Sequence, residues 1–154
     1  MQRSKKILIV SHCILNQNTV IAEEARAEGA ILSAVEWAMQ QGYGFLQLSC
    51  PEFTFLGLNR PSMTYEQYNT LEYRQHCREI LQPVLFQAVD YLKNGYEIAG
   101  ILGIQSSPSC DPVRGIFMEE LAALFNDSGI TLKTLWYLPN TSEPVFKSDE
   151  HYIK

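Results

Sequence analysis

"YEIAGILGIQSSPSC", residues 96–110, decides the fold. After Glu97 the run is apolar with no polar alternation, and it stops abruptly at Gln-Ser-Ser-Pro-Ser. Such a run reads as a strand buried on both faces, the habit of a parallel sheet covered by helices on each side. "KKILIVSHC" (5–13), "YGFLQLSC" (43–50) and "ITLKTLWYL" (130–138) read as three further strands.

Helical patterns fill the intervals. Ile21, Ala25, Leu32, Val35, Ala38 and Met39 recur at helical steps and predict a helix over 19–41, stopped by Gly42. Residues 63–95 predict a long helix with Thr64 as N-cap and Gln67 three residues on, kinked or split at Pro83 and ended by Asn94-Gly95. Residues 116–126 predict another. Strands alternating with helices predict one α/β domain over 1–154, a three-layer sandwich with a mostly parallel, Rossmann-like sheet. Residues 139–154 read as a polar C-terminal tail, loosely attached. No strand leads into GxGxxG, so a dinucleotide site is not expected.

The 154 residues are 46% hydrophobic and 19% charged, with a net charge of −5. Lys and Arg are scattered, which argues against a polymeric nucleic acid as partner. "MQRSKKILIV" is too short in its apolar part for a signal peptide, and no stretch approaches the ~20 apolar residues of a membrane span. A cytoplasmic protein is expected, with no membrane partner and its oligomeric state left open. Four cysteines in that setting point to metal binding or catalysis more than to disulfides.

Three of the four share a context. Cys13, Cys50 and Cys110 each follow the carboxyl end of a predicted strand. In a parallel sheet those ends lie on one edge, where ligand crevices form, so the three are expected to converge. Pro51 and Pro108 would fix the loops that present them. Cys77 instead shares a helical stripe with Tyr73, Leu81, Val84 and Ala88, and is expected in the core.

Three convergent thiols suit several functions. Structural zinc wants four ligands. His12 could in principle supply a fourth, but adjacent residues at a strand end tend to point to opposite faces, so His12 reads as a neighbour or a core residue. A cubane iron–sulfur cluster held by three cysteines would leave one iron open to a substrate. A hydrolytic enzyme, an iron–sulfur electron carrier or redox sensor, and a zinc- or small-molecule-binding domain all remain open on the residues alone.

"SHCILN", "CPEFTFLGLNRP" and "SSPSCDPVRGIF" together resemble the DUF523, or TudS-like, family of thiouracil desulfidases, over nearly the whole chain. The resemblance implies a [4Fe-4S] cluster on Cys13, Cys50 and Cys110, with Glu52 as catalytic acid/base and Ser107 as its partner. It implies a non-redox reaction: a small thiolated substrate of the 2-thiouracil type plus water gives the oxo base and sulfide. The chain departs from the family pattern at Asp111, where glycine is usual, and at Gly103, where lysine is common. Asn16, Gln17 and Asn18 carry amides suited to a base edge, and Ser109 lies beside Cys110; Asn16 and Ser109 are candidate substrate-binding residues. Arg60 matches the family's Arg-Pro position.

Overall fold

The computed structural model describes residues 1–152. Five strands form one sheet: β1 (Lys6–Val10), β2 (Gly44–Gln47), β3 (Glu97–Ile104), β4 (Leu135–Leu138) and β5 (His151–Tyr152). Their order is β2-β1-β3-β4-β5, with β1–β4 mutually parallel and only β5 antiparallel, against β4. Six helices accompany them: α1 (His12–Leu15), α2 (Leu32–Gln40), α3 (Pro51–Leu56), α4 (Tyr65–Tyr68), α5 (Leu71–Lys93) and α6 (Ile116–Asp127).

The sheet's two faces alternate as strand geometry requires. Ile7, Ile9, Ile98, Ile101 and Leu135 pack with Cys77, Leu81, Val84, Phe117 and Phe125 of α5 and α6. Leu8, Val10, Ala99, Leu102 and Leu138 pack on the other side with Ile14, Ala34 and Ala38 of α1 and α2. The expected three-layer α/β sandwich is present. Among the described residues no helix is long and apolar enough to cross a membrane.

Five local expectations are corrected. The predicted 19–41 helix exists only as α2; residues 17–24 make two short 3-10 turns instead. Gln17 organises that segment, its amide oxygen accepting from Arg26 N at 2.8 Å and its backbone N–H donating to Gly29 O at 2.6 Å. Residues 22–25 are exposed and offer no apolar stripe to bury, so helix propensity alone does not prevail there.

The long helix begins later than predicted. Thr64 and Gln67 do form a capping box, but it starts the single turn α4, and Thr70 caps α5 separately. Pro83 does not split α5. Its position is on the exposed face, so the carbonyl it leaves unpaired meets water, while Leu81, Val84 and Ala88 hold both halves on the core.

The predicted loose tail is fastened. Phe146 is buried in the second core, its N–H donating to Ser33 Oγ at 2.9 Å, and Trp136 Nε1 donates to Ser148 O at 3.1 Å. The tail's last two residues, Ile153 and Lys154, lie outside the described residues. Lastly, β4 is shorter than the predicted 130–138 strand, with Ile130 and Leu132 buried in the connection that leads to it.

Candidate functional site

Because β1, β2 and β3 are parallel, the loops after them meet at one edge, on either side of the point where the connections reverse direction. A cavity of about 690 Å³ opens there. Cys13, Cys50, Glu52, Arg60, Ser107 and Cys110 all line it. Cys77 does not; it is fully buried between α5 and the sheet.

Each cysteine is braced by its own loop. Cys13 sits in α1, and its carbonyl accepts from Gln17 Nε2 at 2.8 Å. The neighbouring His12 donates from Nδ1 to Leu48 O at 3.0 Å, and Gln47 Nε2 donates back to His12 O at 3.2 Å. His12 therefore sews the β1 loop to the β2 loop and is no wall of the cavity.

Cys50 caps α3, with Phe53 N–H donating to its sulfur at 3.5 Å and Pro51 opening the helix. That turn carries Glu52 to the cavity. Thr54 Oγ1 bonds the Cys50 carbonyl at 2.9 Å and His76 Nε2 at 2.7 Å, fixing α3 to α5.

The Cys110 loop folds back on its own strand, Ile104 N–H donating to Cys110 O at 2.9 Å. Only glycine fits at 103, because a Cβ there would strike the Cys110 carbonyl. Ser107 Oγ accepts from the N–H groups of Cys110 at 3.0 Å and Ser109 at 3.3 Å. Ser107 is thus a loop cap whose hydroxyl hydrogen has no protein acceptor among the described residues. Asp111, buried, accepts from Ser106 N, Val113 N, Arg114 N and Tyr152 OH at 2.7–3.2 Å.

Ser109 and Asn16 do not line the cavity. Ser109 is fully buried, with Oγ 2.6 Å from Tyr73 OH, so its hydroxyl is spent behind the Cys110 loop. Asn16 turns its side-chain oxygen to Asn18 N and Nδ2 at 3.1 and 3.2 Å.

The electrostatics are those of crowded thiols. Burial pushes Cys13 up to about 12, with the charge of Cys50 adding to it. Burial also raises Cys50, and it raises Cys110 well above its ordinary value, with Cys13 and Cys50 next in effect. The Ser11 hydroxyl works against the Cys110 shift from beside that sulfur. Arg60, buried, supplies the one guanidinium paired with Glu52, at 3.5 Å. Its other nitrogens donate to Gly57 O at 3.1 Å and Thr19 O at 2.8 Å.

Sequence reasoning assigned no role to Ser11, although it stands in the "SHCILN" motif, nor to Tyr68. Theirs are the two buried side-chain oxygens without a hydrogen-bond partner among the described residues. Leaving a buried hydroxyl unpaired costs roughly 1–3 kcal/mol, so each is an oddity. Tyr68 packs on Tyr73 with the rings tilted and their centroids 4.7 Å apart, and its hydroxyl, near Glu52, is raised by burial and then by that carboxylate's charge. No sequence signal marked Tyr68, which lies in α4, a helix separate from the α5 that carries Tyr73.

Among the described residues no group of three or more His, Cys, Asp or Glu side chains is placed to hold a single metal ion. No family model matches the chain, and no solved structure matches it. A protein of Methanocaldococcus jannaschii, the uncharacterized protein MJ0003, is 40% identical over 143 residues, covering 92% of this chain and 91% of the relative.

Proposed function

The chain belongs to the family of that archaeal protein, and we propose that it is a cytoplasmic, non-redox desulfidase that strips sulfur from a small thiolated, nucleobase-like substrate. What supports the reading is one juxtaposition: three thiols from three strand-end loops and the Glu52 carboxylate line a single cavity. The donor set fits a [4Fe-4S] cluster. Soft thiolates are its ligands, and a cluster, whose irons lie apart, does not need its three cysteines to meet on one point.

Cys13, Cys50 and Cys110 would hold the cluster, which when bound supplies an iron with an open position, a soft Lewis acid for the substrate's sulfur. The other steps fall to the protein. Glu52 takes a proton from water as it attacks the thiocarbonyl carbon. The same carboxyl then gives that proton to the departing sulfur, and the hydroxyl left on the carbon passes its own proton to the sulfur as the C–S bond breaks and the carbonyl forms. The thiocarbonyl and water thus become a carbonyl and hydrogen sulfide, with no electron transferred. Arg60 fixes the carboxylate from the protein side through its 3.5 Å contact. Ser107, with its hydroxyl hydrogen uncommitted, donates to charge developing on the substrate.

The test is sulfide release from 2-thiouracil by anaerobically reconstituted protein without an electron donor. Turnover is expected, and Glu52→Gln should lower it by roughly 10²–10⁴-fold while keeping the iron content. Full activity in Glu52→Gln, or dependence on a reductant, would overturn the reading.

A further inference from the structure

Ser11 occupies the N-cap of α1, where a serine hydroxyl normally accepts a backbone N–H from the first turn. Here it makes no such bond; the carbonyl of Ser11 takes Ile14 N–H at 3.1 Å instead. The residue is 1% exposed and its hydroxyl meets no hydrogen-bond partner. Its backbone N–H donates at 3.0 Å to Leu102 O of β3, two residues before the Ile104 N–H that holds the Cys110 carbonyl, which brings the hydroxyl to where it acts on the Cys110 thiol. A capping serine that gives up its cap bond, in a place closed to water, is held for a partner the protein alone does not supply. The neutral thiol of Cys110 is a weak acceptor; a thiolate bound to a metal centre is a strong one.

We infer that Ser11 is a positioning residue for the metal centre: its hydroxyl donates to the Cys110 sulfur once that sulfur is a ligand, stabilising the bound thiolate. The inference rests on the cluster reading above. It places a donor from the end of β1 against a ligand carried by the β3 loop, so that loading the site ties the two central strand ends together. Hydrogen bonds to cluster sulfurs raise the reduction potential, which gives a readout independent of turnover.

The experiment compares wild type, Ser11→Ala and Ser11→Thr, each as full chain, apo and anaerobically reconstituted. In the apo protein Ser11→Ala should melt at or above the wild-type temperature, because it removes an unpaired hydroxyl. In the loaded protein Ser11→Ala should bind the same iron and sulfide, lose them several-fold faster to a chelator, and show a more negative midpoint potential. Ser11→Thr, which keeps the hydroxyl, should return both toward wild type. An apo Ser11→Ala that melts lower, or a loaded one with wild-type lifetime and potential, overturns the assignment alone. Wild-type protein that takes up no iron overturns the assignment and the desulfidase reading together.

Discussion

Arg60 reaches Glu52 from the protein interior: Nε lies 3.5 Å from Oε1, with the arginine side chain 4% exposed and the carboxylate 18%. The same guanidinium bridges Gly57 O and Thr19 O, so it joins the loop after α3 to the segment after α1. Arg60→Ala would leave two carbonyls and a partly buried carboxylate without their partner. A loss of about 3 kcal/mol in urea unfolding is expected. A change below about 1 kcal/mol would mean that the pair is as weak as a surface ion pair.

Asp111 should behave as a structural clasp. Its carboxylate gathers Ser106, Val113 and Arg114 around Cys110 and receives the Tyr152 hydroxyl from β5 at 3.0 Å. Asp111→Ala is expected to cost roughly 2–4 kcal/mol. It should also speed amide exchange in β5 as well as in the Cys110 loop. Faster exchange in the loop with β5 unchanged would show that the Tyr152 contact carries nothing.

Gly103→Ala tests how the Cys110 loop is seated. The added methyl would strike the Cys110 carbonyl and approach Pro112 Cγ and Cδ to 2.8 and 2.9 Å. Since Ile104 N–H holds that carbonyl at 2.9 Å, the loop must move as a unit. A loss of about 1–3 kcal/mol is expected, with reduced iron uptake on reconstitution. Wild-type stability and uptake would contradict so tight a contact.

The raised thiols of half-buried Cys13 and buried Cys77 give the apo protein an alkaline limit. Burial holds Cys13 and Cys77 up to about 12, against 9.0 for the free thiol. Between those values the unfolded chain sheds thiol protons that the folded chain keeps, so stability falls as pH rises. Below about pH 9 both states hold the same thiol protons and this dependence vanishes. Urea midpoints of the apo protein should therefore fall between about pH 9 and about pH 11. A flat profile across that range would contradict the raised thiols.

The sheet was legible because its central strands β1 and β3 are buried on both faces, and an unbroken apolar run such as Ile98–Ile104 suits little besides a strand covered on both sides. The convergence of Cys13, Cys50 and Cys110 follows from the same fact, since parallel strands bring their carboxyl ends together. What stayed hidden depends on contacts distant in sequence. Periodicity at Ile21 and Ala25 imitated a helix that the bonding of Gln17 replaces with turns. The polar tail looked loose because Phe146, Trp136 and Tyr152 act as anchors only where Ser33, Ser148 and Asp111 are waiting. Ser109 and Asn16 sit close to the site in sequence, yet their polar atoms are spent on Tyr73 and Asn18. Ser11 and Tyr68 were invisible for the opposite reason: a missing partner leaves no mark in a sequence.

The central claim is that Cys13, Cys50 and Cys110 hold one cluster that keeps a position open to substrate. The direct measurement is the iron–sulfur spectrum of anaerobically reconstituted protein while a thiolated base is titrated in, beside Cys110→Ala and Cys77→Ala. The account predicts a saturable change in the wild-type spectrum, retained in Cys77→Ala and abolished in Cys110→Ala. A spectrum indifferent to the thiolated base, or a cluster lost in Cys77→Ala and kept in Cys110→Ala, would contradict it.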